Sequence, residues 1–254
     1  MSAALKTHPA LTPQQLIEQM ISGSETHICQ PLGWMYDEEV QSAQLLSQKS
    51  ETFFSHPATA ILWPKEISSR NEQSSLLLNR NFCSSDEKNG LLDEMKTIVN
   101  GISRSSTLVD EVIAVTDEFV TNALYNAPYV DPVTFVNQRI NRLTTKVKLD
   151  HGKQARLFAA QDGKRLLIGV EDPYGSLDVK SYLNRIHKCY SSVKDSINFG
   201  EGGAGIGSYI IFNTGSSLYY GVKPGEKTLL VCVVPIKVSR RQREDLPKHL
   251  HWIK

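Results

Sequence analysis

Cysteine is scarce in this chain, and its four copies, Cys29, Cys83, Cys189 and Cys232, include no CxxC pair. His27 and His187 each lie two residues before a cysteine, but no further ligands follow nearby. That spacing argues against a structural zinc site and against a disulfide framework. Cys232 lies within the apolar run Leu229-Leu-Val-Cys-Val-Val234 and reads as a small buried hydrophobe. A surplus of one charge is also missing: 28 Lys and Arg face 27 Asp and Glu, for a net charge of +1. Such a balance leaves no electrostatic footprint for nucleic acid or an anionic membrane. No apolar run is long enough to span a bilayer, and the start, Met-Ser-Ala-Ala-Leu-Lys-Thr-His, lacks the apolar core of a secretory signal. Neither nucleic acid nor membrane is expected as a partner, and the reducing cytoplasm is the expected compartment.

The 254 residues suffice for a full core, and 40% hydrophobic with 22% charged residues is the composition of a globular protein. No internal repeat is visible. Three zones differ in texture. Residues 1–80 are rich in Ser, Gln and Glu with weak periodicity, and read as an N-terminal extension of uncertain fold. Within it, Thr12-Pro13 supplies a cap and first helical position for a short helix over 11–20. Residues 52–63 mix aromatic and aliphatic side chains without resolving to helix or strand, and 68–75 have loop composition.

Residues 81–238 are far more regular. A strand is expected at 76–83, then a helix from the Ser84 cap to about Val99, closed by Asn100-Gly101. A longer helix covers 108–124 and ends near Asn126-Ala-Pro128. Residues 154–160 and 165–170 flank an Asp162-Gly163 hairpin turn. A helix at 177–190, a glycine-rich loop at 200–207 opening a helix at 208–213, and strands at 217–221 and 228–234 complete the zone. Helices and hairpins mixed this way predict an α+β fold: a two-layer sandwich of a mostly antiparallel sheet covered on one face by helices. Residues 239–254, with Arg240, Arg241, Arg243, Lys248 and Lys254, read as a basic, solvated C-terminal tail.

Three short patterns carry chemistry. Glu118 and Asn122 are four apart on the helix, so they share a face one turn apart. A carboxylate beside a carboxamide suits a site where the amide oxygen ligates a hard cation and the acid orients a nucleophile. On that segment alone, a solvated polar stripe is the simpler account. Next, the apolar strand Leu167-Ile-Gly-Val-Glu-Asp172 delivers Asp172 to a strand end, with Gly175 in the turn after it. A carboxylate there can accept a hydrogen bond from the N6 amine of adenine and would repel the carbonyl of guanine. Last, Gly203, Gly205 and Gly207 alternate directly into an apolar helical pattern. Glycines permit close approach of phosphates, and the free amides of a helix N-terminus favour negative charge. The loop does not follow an apolar strand, which argues against a dinucleotide fingerprint. A Walker-type loop fails at residues 221–228, where glycine occupies 225 instead of 226.

The order of these patterns resembles the GHKL superfamily of ATP-binding domains. Glu118-Phe-Val-Thr-Asn-Ala123, the strand ending in Asp172, the Gly203/Gly205/Gly207 loop and the strand starting at Thr228 carry the likeness over about residues 80–236. Val120-Thr-Asn-Ala123 after Glu118 is most similar to the anti-sigma-factor serine kinases of bacterial partner-switching systems. The resemblance implies ATP and Mg²⁺ as cofactors. It implies Glu118 as general base and Asn122 as the Mg²⁺ ligand. Asp172 would bind the adenine amine, with Gly175 in the turn beside it. Gly203, Gly205 and Gly207 would cradle phosphates, and Thr228 would back the adenine. Such residue types supply the positioning and charge neutralisation that phosphoryl transfer needs.

Two departures stand out. Tyr174 occupies the place of the first glycine in the usual Asp-x-Gly-x-Gly, where its ring could stack on the base or block it, and Asn126 stands where the serine kinases often have His. Residues 177–200 would form a lid over the nucleotide, with Lys180, Arg185, Lys188 and Lys194 available to phosphate or, more simply, serving solubility. The resulting expectation is an ATP- and Mg²⁺-binding serine protein kinase in signal transduction, acting on a sigma factor or an antagonist protein, with a homodimer compatible with it. The alternative is a catalytically inactive module that regulates by binding protein. A sensor histidine kinase is disfavoured because none of the seven histidines is followed by an acidic residue. A topoisomerase or mismatch-repair ATPase is expected to carry a further transducer domain after the last strand.

Overall fold

The structure, a computed structural model, describes residues 5–7, 11–23, 25–31, 35–129, 145–192 and 206–254. Strands β1 (Leu5–Thr7), β2 (His27–Cys29), β3 (Leu76–Phe82), β4 (Ala155–Gln161), β5 (Arg165–Asp172), β6 (Ser217–Lys223), β7 (Lys227–Pro235) and β8 (His249–Ile253) form one sheet. Its order is β1-β2-β8-β6-β7-β5-β4-β3. Only β1–β2 and β6–β8 pair in parallel, so the fold is α+β with a mostly antiparallel sheet.

One face of the sheet carries α1 (Pro13–Ser22), α6 (Lys88–Ile102), α7 (Ser106–Thr121), α8 (Val179–Ser192) and α9 (Ile206–Thr214). The Thr12 hydroxyl accepts the Gln15 amide while the Gln15 side chain accepts the Thr12 amide, so α1 starts on a reciprocal cap. Ser105 caps α7, whose Leu108, Val109, Val112, Val115, Phe119 and Val120 are buried at helical spacing against the sheet. α6 runs through Asn100 and Gly101 to Ile102 instead of stopping there. Both residues are exposed and a side chain at Gly101 would meet open space, so no close packing forces the expected break.

The other face is covered as well, by α2 (Tyr36–Gln48), α3 (Glu51–Ser55) and α4 (Pro57–Leu62) of the N-terminal extension. The one-face covering expected of residues 81–238 holds for those residues, and the extension adds a third layer to the two that were expected. The strands explain why. Along β7, Leu230, Cys232 and Val234 enter one core while Leu229, Val231 and Val233 enter the other. A sheet with one solvated face alternates apolar and polar residues; a continuous apolar run marks a strand buried on both sides. A short helix, α5 (Glu72–Ser75), brings the buried Glu72 carboxylate to the start of α4, where it accepts from the Ala58 and Thr59 amides and the Thr59 hydroxyl.

The basic tail is folded, contrary to expectation. α10 (Arg240–Glu244) sets Arg243 against Glu111 of α7, and β8 inserts between β2 and β6 with His249, Leu250 and His251 buried. Beneath β8, the fully buried Glu39 of α2 accepts from Ser217 Oγ at 2.6 Å and Tyr219 OH at 2.7 Å, and lies 3.1 Å from His251 Nε2. Burial alone would raise the Glu39 carboxyl, but the His251 contact, with His249 and Arg165 near, holds it well below the usual range. Among the described residues no helix is long and apolar enough to cross a membrane.

Candidate functional site

The residues singled out from sequence fall into two groups. At the end of β5, Asp172 stands opposite Thr228 of β7 in the antiparallel ladder. Asp172 Oδ1 accepts the Tyr174 amide at 3.0 Å, a local turn of the kind short acidic side chains favour. Gly175 follows at φ +60°, and a Cβ there would strike the Lys223 carbonyl and the Gly225 amide of the β6–β7 hairpin. Only glycine fits such a position. Asp172 is 8% exposed. Burial pushes its carboxyl up to about 7, against the pull of the Tyr174 amide, the nearby Thr228 hydroxyl and the Gly175 amide. Thr228 Oγ1 makes no hydrogen bond of good geometry and is buried. A buried acid and a buried hydroxyl thus sit side by side with unused hydrogen-bonding capacity.

The second group gathers where α7 ends. Asn122–Asn126 form a π-helical turn continuing α7, a widened turn that often marks functional sites. Asn122 Nδ2 donates to Glu118 Oε1 at 2.9 Å, and Asn126 Nδ2 donates to Asn122 Oδ1. The helical spacing therefore does place Glu118 and Asn122 in contact. Gly207, in the first turn of α9, lies directly over Glu118: a Cβ at that position would run into the carboxylate. Glu118 and Gly207 also line an open cleft of about 370 Å³ with Asp110, Ile113, Ala114, Asp117 and Ile210. Lys88 of α6 spans the adjacent Asp117 and Thr121, at 2.7 and 2.8 Å.

The two groups are joined through the loop after β5, where Ser176 Oγ donates to the Ala127 carbonyl just past the π turn at 2.9 Å. Tyr174 does not project freely from that loop. Lys153 Nζ lies 4.0 Å from its ring centroid and its hydroxyl reaches Asp150 at 3.5 Å. Gly203 and Gly205 lie outside the described residues, as does the end of the expected lid. Of the lid cations, Arg185 lies 5.7 Å from the Tyr182 ring centroid. Sequence reasoning missed Tyr182 and Ser208, two buried side chains near Glu118. A tyrosine at an apolar position of a helix reads as core, so no pattern marked it.

Among the described residues no cluster of three or more His, Cys, Asp or Glu could hold a metal on its own. A magnesium ion bound with a nucleotide needs less: it keeps several waters and the phosphates and takes one or two protein oxygens. The Asn122 amide oxygen is a donor of that kind, with the Glu118 carboxylate beside its amide nitrogen.

No protein-family model matches the chain, and comparison with curated proteins finds no match. Among solved structures, a chain in the crystal structure of the SiaB–SiaC complex from Pseudomonas aeruginosa is similar. It is 16% identical, with a TM-score of 0.45, covering 64% of this chain and 91% of that one. That likeness is too distant to inform the function of this chain.

Proposed function

We propose that this chain is a GHKL-like ATP- and Mg²⁺-binding regulatory protein, acting as a serine protein kinase of the anti-sigma-factor type in partner-switching signalling. The observation that carries the reading is the pairing of Glu118 with Asn122 at a π turn beneath Gly207, on a fold whose buried Asp172 faces Thr228. In this reading Asp172 accepts the adenine amine, Thr228 backs the base, and Gly203, Gly205 and Gly207 receive the phosphates. Asn122 supplies an oxygen to magnesium, which neutralises phosphate charge when bound. Glu118, already fixed in orientation by Asn122, accepts the proton of the acceptor hydroxyl. The protein partner is a sigma factor or an antagonist protein.

One observation favours a second reading, an inactive module that regulates by binding protein: Asn122 Oδ1 already accepts from Asn126, which leaves it one lone pair for a metal. Titration calorimetry with ATP and with GTP in the presence of Mg²⁺, followed by phosphotransfer to co-purified partners, separates the readings. The kinase reading expects ATP to bind at least tenfold tighter than GTP, and Glu118→Ala to bind ATP while losing turnover. Equal binding of ATP and GTP contradicts the adenine assignment, and unchanged turnover in Glu118→Ala removes that residue from the chemistry.

A further inference from the structure

Three side-chain hydroxyls, those of Thr228, Tyr220 and Tyr182, are buried on the same face of the sheet without a hydrogen bond of good geometry, although Asp172 lies near the first and Ser208 near the last. Native interiors pair nearly all such groups, and each exception asks for a reason. These three follow one another in space. Thr228 adjoins Asp172 across the β5–β7 ladder. Val222 of β6 stands opposite Thr228, and Tyr220, two residues before it, projects from the same face. The ring of Tyr182 on α8 meets the ring of Tyr220 edge-on, with centroids 5.5 Å apart. The Tyr182 hydroxyl in turn lies near Ser208, in the first turn of α9, and near the Glu118 carboxylate.

The row thus leads from the Asp172 group to the Glu118 group. A phenylalanine at 182 or 220 would fill the same core volume without burying a poorly satisfied hydroxyl, so packing does not account for either. A nucleotide whose base is held at Asp172 and whose terminal phosphate reaches Gly207 must cross this interval. It presents phosphate oxygens, which only accept, and ribose hydroxyls, which accept as well as donate, and a phenol is a donor suited to both. Burial raises both phenols well above their ordinary range, so both remain protonated donors.

We propose that Tyr182 is a nucleotide-binding residue whose hydroxyl donates to a phosphate oxygen, with Tyr220 donating to the same ligand nearer the base. This rests on the ATP-binding reading above. The two tyrosines are not marked by any of the motifs that suggested that reading.

The test compares wild type, Tyr182→Phe and Tyr220→Phe by titration calorimetry with ATP–Mg²⁺ and with adenosine, and by thermal melting of the free proteins. Tyr182→Phe is expected to weaken ATP–Mg²⁺ about tenfold, to leave adenosine affinity within twofold, and to melt no lower than wild type. Tyr220→Phe is expected to weaken both ligands severalfold at an unchanged or higher melting temperature. If wild type binds ATP–Mg²⁺ and Tyr182→Phe binds it equally well, the inference is wrong and the ATP-binding reading stands. If Tyr182→Phe melts lower and binds both ligands equally more weakly, the hydroxyl is structural and the inference is likewise overturned. If wild type binds no nucleotide, the reading itself fails and takes this inference with it.

Discussion

Asp172 concentrates the site's cost in one side chain. Its carboxyl is lifted from 3.8 to about 7, chiefly by burial. Between those values the folded state holds a proton that the unfolded chain has released, so the contribution of Asp172 to stability falls as pH rises from about 4 to about 7, and the penalty is complete above that. Asp172→Asn removes it. Chemical denaturation should show the variant more stable than wild type at pH 8 by about 1–3 kcal/mol, the difference shrinking toward pH 4. The same variant should bind ATP–Mg²⁺ about tenfold more weakly. A gain in stability with a loss of binding is the mark of a group kept for a ligand. A variant less stable at pH 8 would make Asp172 structural. That Glu118 meets Asn122 and that Asp172 and Thr228 lie at strand ends was legible, because helical spacing and strand boundaries determine those placements. Tyr182 and Tyr220 were illegible, because an unpartnered hydroxyl is a property of three-dimensional surroundings.

Among elements, legibility followed periodicity. α7 and the β4–β5 hairpin bury one clear stripe or run between strong turn signals, and both were readable to within a few residues. α3 and α4 were not. Their residues Phe53, Phe54, Ala58, Ile61 and Leu62 are all buried, and Pro57 and Pro64 cut the segment into pieces too short to show a helical period. The π turn at Asn122–Asn126 has no sequence pattern of its own either. What holds α4 is equally remote in sequence: the Glu72 carboxylate satisfies three donors at its start. Glu72→Ala leaves those donors buried and unpaired, and urea denaturation should show a loss of about 2–4 kcal/mol. A loss under 0.5 kcal/mol would mean that α4 does not depend on this cap.

For the whole molecule, the ends of the chain are what composition concealed. The segment at 239–254 looks solvated because of its Lys and Arg content, yet Arg243 pairs with Glu111 and β8 is a central strand. Joining β2 to β6 through β8 also buries histidines. Burial, with His251 close by, holds His27 down at about 3, and burial holds His249 at about 4 despite the Glu39 charge. Both are lower than the ordinary 6.5, so the fold favours their neutral forms. Their stabilising contribution is complete above pH 6.5 and is lost as pH falls toward 4 and then 3. Two such histidines outweigh the opposite trend of the single Asp172, so thermal melting across pH 7 to 4 should show a fall. His249→Gln should flatten it without altering nucleotide affinity at pH 7.5, since β8 lies on the far side of β6 from the Asp172 strand. An acid transition of unchanged steepness would assign the loss to other groups.

The central claim is that a single nucleotide runs from Asp172 to Glu118. A crystal structure with a non-hydrolysable ATP analogue and Mg²⁺ tests it most directly. The account predicts the adenine amine within hydrogen-bond distance of Asp172, phosphate oxygens against the Gly207 backbone, and the metal on Asn122. Analogue bound elsewhere, or crystals soaked at millimolar concentration that stay empty between those residues, would contradict it.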